Sequence, residues 1–235
     1  MRFVVAISIA LFMAFFCTKA IRKAPFVLYA CALAADMLYV YAIIVGANGV
    51  FWTAFLPLMQ RCTLAMALFA VVMFAGVLKD GSPFKAKFMS IRRQFSIAAC
   101  ILASCHIAFY ANTYILQIAS IADGSAVQSA LETNLFVSLG ISTLITFLLG
   151  VLTATSFMAV KSHMRASTWK KVQRLAYLFY ALVFVHLAII LAPPALAGKD
   201  AAMESICVYT AVFAAYFILR IRRYVIDKKH STRKA

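Results

Sequence analysis

Acidic residues are scarce in this chain: seven Asp and Glu stand against 23 Lys and Arg among 235 residues. Charged residues of both signs make up only 13%, whereas 65% are hydrophobic and the mean hydropathy is +0.94. A soluble protein of this length has no use for so much apolar surface, so the predicted class is polytopic membrane protein. No Gly-rich phosphate loop, internal repeat or soluble module can be found. The six cysteines (17, 31, 62, 100, 105, 207) lie in apolar stretches, without CxxC or a zinc spacing, and read as small buried hydrophobes. A net charge of +16 would suit nucleic acid, but the basic residues sit in short clusters between apolar runs. That pattern carries topology information and excludes a phosphate-binding face.

Seven apolar segments are predicted, at approximately 3–18, 24–45, 52–78, 94–119, 133–160, 171–192 and 203–221. The fold class expected is all-α, a seven-span membrane helix bundle. Of the 23 Lys and Arg, 20 fall on one side of this arrangement. Only Arg2 and Lys199 lie on the other side, and Arg61 lies within a span. The positive-inside rule then places the protein in the cell membrane, with the N-terminus outside and the C-terminus cytoplasmic. The first segment is short, and Thr18-Lys19-Ala20 loosely resembles a signal-peptidase site. Cleavage there would invert every later loop against the charge bias, so it is retained as a span. The outer turns at 46–49, 123–132 and 193–204 are too short to be domains. The inner loop 79–93 contains the turn signal Asp80-Gly81-Ser82-Pro83. The chain divides into an extra N-terminal helix (1–23), a transmembrane domain (24–221) and a basic cytoplasmic tail (222–235).

Two of the four histidines stand deep in apolar helices. His186 follows the basic cluster Lys170, Lys171 and Arg174, with an unbroken apolar run between them. His106 follows Arg92 and Arg93 across a mostly apolar run that includes Gln94, Ser96 and Ser104. Measured from Arg174 and Arg93, at ~1.5 Å per helical residue, both lie ~18–20 Å from a basic boundary. Intramembrane ionisable residues mark functional sites, and neutral imidazole is a common axial ligand of haem iron. Matched depth on two parallel helices is what a bis-His haem requires. The alternative is a polar side chain hydrogen-bonded to a neighbouring carbonyl. Ala99 and Ala103 share the face of His106 and would leave room for a flat ring; Phe179 and Leu182 would pack on it from the other helix. The absence of CxxCH excludes covalent attachment. His163 and His230 lie in basic segments and read as solvated surface.

The segment TSFMAVKSHMRASTWKKVQRLAYLFYALVFVH resembles the ferric-reductase-like transmembrane family, most nearly its bacterial MsrQ/YedZ-type haem-binding membrane subunits. The spacing from Arg92 to His106 is similar to the family's first ligand helix, and Trp169…Leu175…Tyr177…His186 to its second. Gln60-Arg61-x-x-x-Ala65 resembles the family's arginine on the preceding helix. The resemblance implies a six-span core, over about 50–220, acting as a b-type cytochrome that passes single electrons across the membrane. The first helix is then an addition. Two-haem relatives carry a second histidine between three and four helical turns along each ligand helix. Here those positions hold Arg92 or Arg93, Ser120, Gln173 or Val172, and Lys199 or Asp200. One haem b is therefore expected, with quinone or flavin supplied by a partner.

Asp36 and Arg61 are the two charges within spans, each about ten residues from the short outer turn at 46–49, one on either side of it. A structural ion pair is the expected arrangement, since an unpaired charge there is costly. The functional version has Arg61 binding a haem propionate, with Asp36 behind it or carrying protons. The expected donor is a membrane quinol or a cytoplasmic flavoprotein, and the acceptor an extracytoplasmic protein or ferric iron. The reading from another class is a haem-free proton or small-solute transporter using Asp36, Arg61 and the histidines. Such a protein would show broken helices near midplane and an inverted repeat. A third is a haem-free assembly or anchor subunit.

Overall fold

The computed structural model describes residues 2–122 and 129–232, and every regular element among them is a helix. In chain order these are α1 (Arg2–Phe16), α2 (Thr18–Lys23), α3 (Pro25–Ile44), α4 (Val50–Gln60), α5 (Thr63–Ala75), α6 (Pro83–Ala122), α7 (Ser129–Ala154), α8 (Met158–Ser162), α9 (Ala166–Gln173), α10 (Leu175–Leu196) and α11 (Asp200–Thr232). Segments 123–128, within the predicted turn at 123–132, and 233–235 of the tail lie outside the described residues.

Five helices are long and apolar enough to cross a membrane, and α4 with α5 would make a sixth. The predicted count of seven is not confirmed: the remaining apolar helix, α1, has 15 residues. At ~1.5 Å per residue it spans ~22 Å, short of a ~30 Å hydrocarbon core. It is nonetheless packed into the bundle. Ala6, Ala10 and Ala14 recur every fourth residue, all fully buried, and α1 lies against α5. Small side chains on one stripe let two helices approach closely in lipid.

α5 is apolar on every face, as a helix at the centre of a bundle must be. Eleven of its residues, from Thr63 to Ala75, are buried, and α1, α4 and α6 pack around it. The predicted uninterrupted span over 52–78 is instead broken, with a 52° bend between α4 and α5. Cys62 takes the left-handed conformation at φ 56°, which stops α4 after Gln60. That conformation in a non-glycine residue costs about 1–3 kcal/mol, so the surrounding packing enforces it.

The basic connections are more ordered than a loop reading implies. The turn at Asp80-Gly81 uses glycine at φ 78°, and Pro83 then opens α6, so residues 83–93 are helical. α6 has 40 residues. That is ~60 Å of helix, about twice a ~30 Å hydrocarbon core, so part of it extends beyond the bilayer. α11 runs unbroken through residue 222 into the tail. Arg223 bonds to Asp80 and, at 3.0 Å, to Asp227, while Lys85 reaches Asp80 at 2.6 Å. The α5–α6 turn and the C-terminal end of α11 thus lie at one end of the bundle. If the charge bias sets orientation, reporter fusions after Asp80 and after Ala235 will both read cytoplasm. An extracytoplasmic signal from either overturns that topology.

Four of the cysteines are half-buried, and Cys31 and Cys207 are exposed on helix sides. The expectation that all six are buried is corrected: a membrane helix directs small apolar groups to lipid as readily as to its neighbours.

Candidate functional site

His106 comes from α6, and its placement depends on the break in the preceding span. Stopping α4 at Gln60 releases that residue's carbonyl from helical duty, and His106 Nδ1 lies 2.6 Å from it. A carbonyl can only accept, so Nδ1 carries the hydrogen and Nε2 keeps its lone pair. The ring also meets Tyr110, one turn along α6, at 4.8 Å between centroids.

His186 comes from α10, with its Nδ1 3.3 Å from the Ser142 hydroxyl of α7. The two imidazoles are within electrostatic range of each other. Their helices pack on different neighbours: α6 lies on α5 and α3, whereas α10 lies on α11 and α7. Arg92, which precedes His106 on its helix, and Arg174, which precedes His186, line one cavity. Both histidine depths are therefore measured from one level of the bundle.

At that level lie two adjoining cavities of about 260 and 250 Å³. They share Met73, Arg92, Trp169, Gln173 and Ala176. Arg93, Lys161, Lys170, Arg174 and Arg220 complete a basic rim, and among the described residues no acid lines either cavity. Aromatic walls temper the cations, with Lys161 over the Trp169 ring and Arg220 over that of Tyr177. Trp169 is fixed by donating to the Thr155 carbonyl at 3.0 Å, and Gln173 by donating to the Thr155 hydroxyl at 3.0 Å. The cavities reach up to Phe69 and Phe179, which meet edge to face at 5.4 Å. Phe179 lies two turns below His186, ~10 Å along the helix. Spacing arguments missed this cleft, although the basic clusters that rim it were visible.

Several expectations need correction. Ala99 and Ala103 are 0% and 4% exposed, so they are packed into the core and hold no space for a ring. Phe179 is spent on Phe69, and Leu182 is half-buried. The Asp36–Arg61 pair does not form. Asp36 faces α6 and accepts from the Ser104 hydroxyl at 3.1 Å, whereas Arg61, turned outward at the break, is exposed. Arg61 instead lies within electrostatic range of Tyr110 and Tyr209, beside the residue that holds His106. His163 is exposed at a helix end, bonded to the Ala159 carbonyl at 2.7 Å, and the His230 side chain lies outside the described residues. Among the described residues no three His, Cys, Asp or Glu side chains are grouped to hold an ion.

The molecule is thus an integral membrane helix bundle with two interior histidines above a basic, aromatic cleft. It belongs to the ferric reductase-like transmembrane component family, whose model matches residues 61–184, more than half of the chain. The match includes Arg61 and His106 and ends two residues before His186. The chain is also similar to an uncharacterized protein of Treponema pallidum (strain Nichols), 37% identical over 171 residues. The similarity covers 73% of this chain and 46% of that protein, so the chain spans about half the length of the relative it matches.

Proposed function

We propose that the chain is a b-type cytochrome subunit in which His106 and His186 are the axial ligands of one haem. The observation that carries this reading is the state of the two rings. Each has Nδ1 against an oxygen, the Gln60 carbonyl or the Ser142 hydroxyl, so each would ligate through Nε2. Two imidazoles cannot complete a site for a bare ion here, but they suit a group that brings four nitrogens of its own. Bound haem would supply a one-electron couple, tuned by ligand identity and burial. The two helices would hold it between them, with His106 on one side and His186 on the other.

Arg61 stands next to the Gln60 carbonyl, at the bend, where it would meet a propionate as a counter-charge. Arg61→Leu is expected to lower haem retention, or to lower the midpoint potential by tens of millivolts, with ~59 mV for each tenfold change in equilibrium constant. A redox titration of the detergent-purified variant decides this, and unchanged retention and potential would remove Arg61 from the site.

The basic cleft is the entry for electrons, from a quinol or from a flavoprotein docking at the cytoplasmic face. Its cations suit an anionic donor, and its walls suit a flat ring. Electrons then leave to an extracytoplasmic acceptor, a partner protein or ferric iron. A dithionite-reduced minus oxidised spectrum, repeated with quinol as reductant, tests both halves of this proposal. Low-spin bis-imidazole bands are expected, and a protein without them is not a cytochrome.

The transporter reading gains one observation, the broken span at Arg61-Cys62. In transporters such freed carbonyls coordinate the transported ion. Here the freed Gln60 carbonyl is taken by His106, so the break serves the histidine instead.

A further inference from the structure

Asp36 is the one buried acid among the described residues, 1% exposed in the apolar interior. Its Oδ2 accepts from Ser104, and its Oδ1 has no hydrogen-bond partner. Among the described residues no cation lies within ion-pair distance of it. Tyr39, three residues on and so on the same face of α3, is 2% exposed, and its hydroxyl is likewise unpartnered. Two open oxygens in succession on one buried face lead from Asp36 towards the turn at 46–49.

The surroundings are otherwise neutral or distant. α6 presents Cys105, whose thiol donates to the Asp36 carbonyl at 3.6 Å, and further along it Cys100 and Tyr110. The α4–α5 break presents Cys62 and the outward-turned Arg61. α2 brings Lys19, Arg22 and Lys23 only to the opposite end of α3. Asp36 bonds to Ser104 and Cys105, the neighbours of His106 on α6, and not to the ring itself.

We propose that Asp36 is a redox-linked proton site, taking up one proton for each electron delivered to a haem held by His106 and His186. The inference rests on the haem reading above. Charge in a low-dielectric interior is costly unless compensated close by. A haem held by His106 and His186 would supply a one-electron couple whose oxidised, positively charged form offsets the Asp36 carboxylate. An electron added to a haem held there would remove that compensation. Asp36 then binds a proton from water, forming an O–H bond at Oδ1, while Ser104 continues to hold Oδ2. Tyr39 passes the proton inward from the turn at 46–49. One electron and one proton enter together, and the interior keeps its net charge.

The test is a spectroelectrochemical titration of the purified full chain against pH, for wild type, Asp36→Asn and Ser104→Ala. The wild-type midpoint is expected to fall as pH rises, approaching ~59 mV per pH unit for one proton per electron. Asp36→Asn should be flat over that range with its Soret band intact, and Ser104→Ala should move the range without abolishing it. A reduced-minus-oxidised infrared spectrum of wild type should gain a protonated-carboxyl band that shifts on labelling with carboxyl-13C aspartate. A pH-independent wild-type midpoint overturns the proposal, as does a labelled band that persists in Asp36→Asn. Should Asp36→Asn lose its haem, the labelled wild-type spectrum decides alone, and no aspartate band on reduction means no proton site. A wild type without a Soret band is seen before any titration and overturns the cytochrome reading together with this one.

Discussion

Replacing either His106 or His186 by alanine is expected to abolish the haem Soret band. Each ring is the sole imidazole its helix brings to the interior, and Gln60 and Ser142 have already fixed how each ring is presented. A hydrogen bond of this kind behind a ligand orients it and raises its basicity, and its loss alone costs roughly 10- to 100-fold in metal affinity. Removing the ligand itself leaves one bond where two were needed, in a site where the described residues offer no third His, Cys, Asp or Glu. His163→Ala is the matched control: an exposed ring bonded to its own helix backbone, whose loss should leave the spectrum unchanged. Full haem content in both ligand variants would refute the assignment.

The class of fold was legible from hydropathy because a bilayer permits few solutions. Long apolar helices with basic connections allow little else, and the clusters do gather at one end, as the shared cavity of Arg92, Lys170, Arg174 and Arg220 demonstrates. The break at Cys62 was not legible. No glycine marks it, Pro57 sits a full turn earlier, and the left-handed residue is a cysteine held there by tertiary packing. Everything that follows from a straight third span fails with it. A straight span puts Arg61 antiparallel to Asp36 at one depth, but the bend turns Arg61 outward and leaves Asp36 to Ser104. Likewise Ala99 and Ala103 share the face of His106 by helical periodicity, yet that periodicity cannot say which neighbour fills the face. The small side chains admit close packing within the core, not a ring. The partner of His106 is a backbone carbonyl, and no side-chain pattern announces a carbonyl released by a strained residue on another helix.

One haem per chain is the second large expectation. In two-haem relatives a further histidine stands between three and four turns along each ligand helix, and the corresponding position before His186 is Gln173. That spacing places it ~20 Å nearer the basic end, level with the cleft. Its amide is already committed, donating to the Thr155 hydroxyl at 3.0 Å, and glutamine is a poor substitute for imidazole. Opposite it, the cleft offers Arg92 and Arg93, which carry fixed positive charge and no lone pair for iron. Pyridine haemochrome measured against protein mass should give a ratio near one, and a reproducible ratio near two would exclude this arrangement. Gln173→His then becomes informative. The new imidazole would enter the cleft without its Thr155 anchor and face only guanidinium groups, so a single added histidine is expected to leave the ratio at one. Adding Arg92→His, from the helix that also lines the cleft, supplies the missing partner, and a rise towards two in the double variant alone would show that ligands, not space, limit this chain to one haem.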